Sequence, residues 1–262
     1  MIAYSQIQRL SAKQELPEEI IEKDYLIELI LFYFAKDDYF KERFVFRGGT
    51  ALKKVYFPDY RFSEDLDFLV DDNENLREYE QRIDEFLAVI NSKYPFQIDK
   101  RLELNEDRLQ FFILYDIFTE IKAVKELKVD ILRDSFIPSY QTIEILFGYQ
   151  EFKKENLSLK TYRLETVVSD KISRILDVDN EPRDIYDLWY LLKLELNVVS
   201  IKTELKKRYG YDIYFPNLLT ELTREVYRRN WRIRLEKQIP KLPRYEIITE
   251  ELKGLIKTKL LS

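Results

Sequence analysis

Arg61-Phe62-Ser63-Glu64-Asp65-Leu66-Asp67-Phe68-Leu69-Val70 places two aspartates one residue apart at the head of an apolar run. In a β-strand successive side chains alternate faces, so Asp65 and Asp67 project together while Leu66 and Phe68 point into a core. Neighbouring carboxylates repel unless a proton or cation separates them. Hard oxygen donors favour Mg²⁺ or Mn²⁺. Working outward, Phe46-Arg47-Gly48-Gly49-Thr50-Ala51-Leu52 offers a turn whose glycines let the backbone approach a ligand with no Cβ in the way. A helix opened by Thr50 would aim its N–H groups at an anion. A cation site beside a phosphate cradle points to nucleotide chemistry.

Composition narrows the chemistry further. The 262 residues include no cysteine and no histidine. Zinc sites of Cys and His, disulfides, thiol nucleophiles and Ser-His-Asp machinery are therefore excluded. Acid–base work falls to carboxylates, Lys, Tyr or a metal. Hydrophobic residues make up 45% and aromatic residues 15%, enough to build a packed core. The N-terminus is polar, and the longest apolar run, Leu26 to Phe34, contains Glu28 and is too short to span a bilayer. A cytoplasmic protein without membrane contact is expected. The net charge of −5 is unevenly spread, because residues 201–262 hold 15 Lys/Arg against 8 Asp/Glu. An acidic body with a basic tail suits contact with a polyanion or an acidic protein.

Pro17-Glu18-Glu19 has the composition of a helix N-terminus, and that helix runs to about Phe34. A short strand at Phe44–Phe46, a helix from Thr50 to Tyr56 and the strand Leu66–Val70 follow. A polar helix then spans Asn75–Lys93, followed by strand-like runs at Phe96–Leu104, Arg108–Ile117, Leu127–Leu132 and Thr142–Phe147. From Leu164 the period becomes helical, with helices predicted over Leu164–Leu176, Asp184–Leu194, Ile201–Tyr209, Leu218–Lys237 and Glu246–Leu260. The fold class is α+β, a mixed-sheet α/β domain over 1–158 followed by a helical domain over 159–262.

Strand, Gly-Gly-Thr, helix, then a strand with Asp-x-Asp resembles the nucleotidyltransferase fold of polymerase β and the tRNA CCA-adding enzymes. That resemblance implies a third carboxylate on a later strand, and Asp130 in Lys128-Val129-Asp130-Ile131-Leu132 fits it. Asp65, Asp67 and Asp130 would then hold the metal ions, with Asp130 able to accept the proton of the attacking hydroxyl. The gap between Gly49 and Asp65 is longer than is typical of the wider superfamily. The full string, together with Lys171-Ile172-Ser173-Arg174 and Arg183-Asp184-Ile185-Tyr186-Asp187-Leu188, is similar to the AbiEii/AbiGii toxins of toxin–antitoxin and phage-defence systems. This implies roles for Gly48, Gly49, Thr50 and Ser63 at the nucleotide. It also implies Lys171 at the triphosphate, and Asp184 and Asp187 as acids of the last motif. Two have a plainer reading, Lys171 as a surface lysine and Asp184 as a helix N-cap or first-turn acid, whereas Asp187 lies one turn further in, beside Leu188 and Trp189.

The resemblance further implies transfer of a nucleotide from a nucleoside triphosphate, with Mg²⁺ or Mn²⁺, to an acceptor hydroxyl. The expected acceptor is an RNA, foremost the 3′ end of tRNA, with growth arrest as the result and a cognate antitoxin as partner. Arg224, Arg228 and Arg232, predicted on one helix face beside Tyr227 and Trp231, are candidate RNA contacts. The competing reading is a solvated face with Trp231 in the core and glutamates pairing the arginines. Two other functions fit the Asp-x-Asp less well: a non-catalytic nucleotide- or partner-binding module, and a metal-dependent glycosyltransferase.

Overall fold

The Asp-x-Asp run forms β2 (Asp65–Asp71), the middle strand of a seven-stranded sheet. The computed structural model describes residues 1–118 and 125–261. The sheet order is β3-β4-β5-β2-β1-β7-β6, with β1 Val45–Arg47, β3 Ile98–Leu104, β4 Arg108–Tyr115, β5 Lys125–Asp134, β6 Tyr140–Glu144 and β7 Ser158–Tyr162. Strand β2 runs antiparallel to β1 and parallel to β5, while β3, β4 and β5 form an antiparallel meander. β1 and β7 are parallel. The chain divides into two compact units, residues 1–137 with 141–161 and residues 138–140 with 162–262.

Alternation sets which face of β2 is buried. Leu66, Phe68 and Val70 are fully buried, and the Phe68 ring lies 5.5 Å from Phe34, 4.7 Å from Phe44 and 5.2 Å from Phe46. Phe34 belongs to α2 (Glu18–Lys36), whose N-cap is Pro17. It also meets Phe86 of α5 (Leu76–Lys93) at 4.5 Å. This aromatic cluster fixes the register of the sheet against its helices, because a one-residue slip would bury Asp65 and Asp67 instead.

Helices α1 (Tyr4–Gln14) and α3 (Asp38–Arg43) and strand β7 lie outside the predicted elements. Only Ile7 of α1 is buried, so its sequence has little of the apolar stripe that marks a helix. The helix expected from Thr50 opens earlier, as α4 (Gly48–Ala51), and widens into a π turn over Leu52–Tyr56.

In the second unit, α6 (Leu164–Leu176) packs on α7 (Pro182–Leu192), α8 (Val198–Tyr209) and α9 (Pro216–Glu221). Helix α7 also packs on α10 (Glu225–Leu235) and α11 (Tyr245–Leu255). The single helix predicted over Leu218–Lys237 is broken between Glu221 and Glu225. The Thr223 hydroxyl donates to the Thr220 carbonyl at 2.7 Å and Arg224 is extended, with ψ 128°; this is the competition with helix that hydroxyl side chains offer. No helix among the described residues is long and apolar enough to cross a membrane.

Candidate active site

The sheet register gathers the polar residues of the first unit on the face opposite the Phe68 core. Asp67 is paired with Arg47 on one side and with Asp130 on the other, while Asp65 is paired with Lys128. Asp130 in turn faces Gln110 of β4. Asp65 and Asp67 are half-buried and Asp130 is buried. The Ser63 hydroxyl donates to Asp65 Oδ1 at 3.1 Å, which orients that carboxylate.

The Gly-Gly-Thr turn is built tightly around these acids. Gly48 has φ +79°, and a Cβ there would land on the Asp67 carboxylate. A Cβ on Gly49 would come within 2.6 Å of Arg61 Nη2. The positions that Cβ atoms on Gly48 and Gly49 would take are occupied by the chain's own Asp67 and Arg61 side chains. Thr50 does not open the helix. It is buried within the first turn, and its hydroxyl donates to the Asp65 carbonyl at 2.5 Å, tying α4 to the start of β2.

The turn is anchored from behind by buried charge. Lys54 lies 2.7 Å from both Asp24 and Glu28 of α2, and Glu28 accepts from the Gly148 and Tyr149 N–H groups at 2.8 and 3.1 Å. Burial opposes charge on Lys54, but the two acids outweigh it and its pKa is raised. Lys53 donates to the Pro58 and Tyr60 carbonyls at 3.2 and 3.0 Å, holding the loop that leads into β2. Burial dominates there and lowers its pKa to about 8.

The donor set of Asp65 and Asp67 fits a hard divalent cation: both are carboxylates on one face of β2, and the missing Cβ at Gly48 lets the turn close on Asp67. Asp130 is held by cations of the chain. Arg108 grips both its oxygens in a fork, with Nε at 2.5 Å from Oδ1, and Lys128 Nζ lies 3.3 Å from Oδ2. Burial pushes the Asp130 pKa up, but Arg108 and Lys128 prevail and hold it below the usual carboxylate range. Among the described residues no group of three or more acids is placed to hold a metal ion; Asp67 and Asp130 lie in register on adjacent strands, with Arg108 and Lys128 on the Asp130 carboxylate. Arg108 escaped the sequence reading, although strand alternation places Arg108, Gln110 and Phe112 on one face of β4.

Within the helical unit, Lys171 is buried on α6 and bonds both acids of the later motif, Asp184 Oδ1 at 2.7 Å and Asp187 Oδ2 at 2.9 Å. Glu181 is the N-cap of α7, leaving Asp184 in its first turn, where Arg174 also reaches it at 2.8 Å. Lys171 is thus not a surface lysine, and both acids face it.

The basic run departs from its expected geometry. Arg224 precedes α10 and so does not share a helical face with Arg228 and Arg232. It pairs with Glu221 at 3.1 Å, Arg228 with Glu246 at 3.1 Å and Arg232 with Glu236 at 3.4 Å. Tyr227 and Trp231 are buried and cannot stack on bases. Beside them a groove of about 750 Å³ is lined by Arg228, Arg232, Lys241, Arg244 and two glutamates, Glu236 and Glu246.

The sequence matches the family model described as nucleotidyl transferase AbiEii toxin, type IV TA system, over residues 29–251. This chain belongs to the AbiEii family of nucleotidyltransferase toxins. The matched span takes in the Gly-Gly-Thr turn, the acidic strands and the Lys171, Asp184 and Asp187 cluster of this AbiEii-family protein. Among solved structures, the fold is similar to MenT4, a nucleotidyltransferase toxin from Mycobacterium tuberculosis H37Rv, with a TM-score of 0.71 at 13% identity. The similarity covers 97% of this chain and 88% of MenT4. A comparison with curated proteins returns no match.

Proposed function

We propose that this AbiEii-family toxin transfers a nucleotide from a nucleoside triphosphate to an acceptor hydroxyl of RNA, foremost a tRNA 3′ end, in a cation-dependent reaction that arrests growth. A cognate antitoxin would restrain it. The observation that carries the reading is the projection of Asp65 and Asp67 from one face of β2, with Gly48 closed against Asp67.

Asp65 and Asp67 would hold Mg²⁺ or Mn²⁺, with Asp130 as the third acid. Such ions polarise the phosphoryl group and acidify the attacking hydroxyl. The chain's own part is positioning. Ser63 orients Asp65, Thr50 fixes the strand that carries it, and Lys53 steadies the preceding loop. Asp130 would take the acceptor's proton. Lys171 would serve the triphosphate as a point cation, with Asp184 and Asp187 holding its ammonium in place.

The test is incubation of purified protein with labelled triphosphates, Mg²⁺ and total RNA, followed by sequencing of RNA 3′ ends. Asp65→Ala should reduce labelling by about a hundredfold or more; equal labelling by both proteins would remove the assignment. The pairing of Asp130 with Arg108 and Lys128 favours one rival, a binding module that turns nothing over. Toxicity that survives Asp65→Ala and Asp67→Ala together would select that rival.

A further inference from the structure

Both oxygens of Asp130 are engaged by cations of the chain itself. Arg108 approaches them side-on through Nε and Nη2, and Lys128 adds a third contact. A guanidinium fork uses the same lone pairs that a coordinated metal ion needs. A fixed positive charge at that position also repels a divalent cation. The two occupants exclude each other.

The placement of Arg108 makes it able to leave. It is the first residue of β4, directly after the Asn105-Glu106-Asp107 turn, and its side chain is 44% exposed. In contrast, the Lys171 side chain, which also bonds two acids, is only 7% exposed. A second acceptor stands beside Asp130. With its amide oxygen turned to the cations, Gln110 accepts from Lys128 Nζ at 2.8 Å and Arg108 Nη2 at 3.1 Å. The basic groups can therefore stay hydrogen-bonded when the carboxylate is given up.

We propose that Arg108 is a removable counter-ion of Asp130, which masks that acid in the cation-free chain and yields it when a divalent cation loads. This rests on the reading that Asp65, Asp67 and Asp130 take such a cation. Arg108 is thereby a positioning residue that sets how readily the site charges, and Gln110 is its resting partner.

The test is Mn²⁺ titration of the full chain by electron paramagnetic resonance, without nucleotide or turnover. Arg108→Gln should bind Mn²⁺ about tenfold more tightly than the parent chain. Arg108→Lys, which keeps the charge but loses the fork, should fall between them and serves as the readout if Arg108→Gln does not fold. In an Asp130→Asn background, Arg108→Gln should change nothing. Equal or weaker Mn²⁺ affinity in both Arg108 variants would overturn the counter-ion proposal and leave the cation reading standing. Absence of Mn²⁺ binding in every variant would overturn both.

Discussion

Gly48 is where a single atom decides the geometry of the acid pair. Its positive φ costs an L side chain about 1–2 kcal/mol, and the added Cβ would also collide with the Asp67 carboxylate. Gly48→Ala should therefore lower the thermal midpoint and remove nucleotide transfer together, as melting curves and RNA labelling would show. Lys53 makes a different prediction, in pH. Its folded pKa is about 8 against an ordinary 10.5. Below pH 8 the amine is charged in both folded and unfolded chains, and the fold bears the full desolvation penalty, about 3 kcal/mol. Between pH 8 and 10.5 the folded chain loses the proton first, unfolding takes one up, and stability rises with pH. Urea unfolding at pH 7.5, 8.5 and 9.5 should show this rise in the parent chain and a flatter profile in Lys53→Met.

At the scale of elements, the bond from Lys171 to Asp184 and Asp187 joins α6 to α7. Asp187 is fully buried, and removal of a buried counter-charge costs about 3–5 kcal/mol. Lys171→Met should lower the unfolding free energy measured in urea by that amount, and adding Asp187→Asn should recover part of it. Both tryptophans, Trp189 and Trp231, lie in the helical unit, so intrinsic fluorescence reports its unfolding. The elements of this region were largely legible in the sequence: α6 begins and ends where its apolar period does, at Leu164 and Leu176. Strand β2 and the shared face of Asp65 and Asp67 followed from simple alternation. The break before α10 was not legible, because the Thr223 hydroxyl competes with the helix by donating to the Thr220 carbonyl, a local bond that a period of 3.6 does not register. Nor was the fork on Asp130. It depends on which strand lies beside β5, and pairing partners are a property of the folded sheet rather than of one segment.

For the molecule as a whole, charge is the organising quantity. Residues 201–262 carry 15 basic against 8 acidic side chains, and Arg228, Arg232, Lys241 and Arg244 line one groove there. If that surface follows the acceptor's phosphates, affinity for RNA should fall with salt. Lys241→Glu with Arg244→Glu should flatten the log–log salt slope by about 1.4, the value for two single-strand phosphates. Fluorescence anisotropy with a labelled tRNA at several salt concentrations checks this, and an unchanged slope would place the acceptor elsewhere. Asp24, Glu28 and Lys54 have a bearing on genetics. They touch no nucleotide in the proposed reaction, yet they connect α2, the turn after Gly49 and the Gly148 backbone through one buried charge cluster. Colonies that survive forced expression of the toxin should therefore yield Glu28 and Lys54 replacements as often as changes to the acidic strand itself.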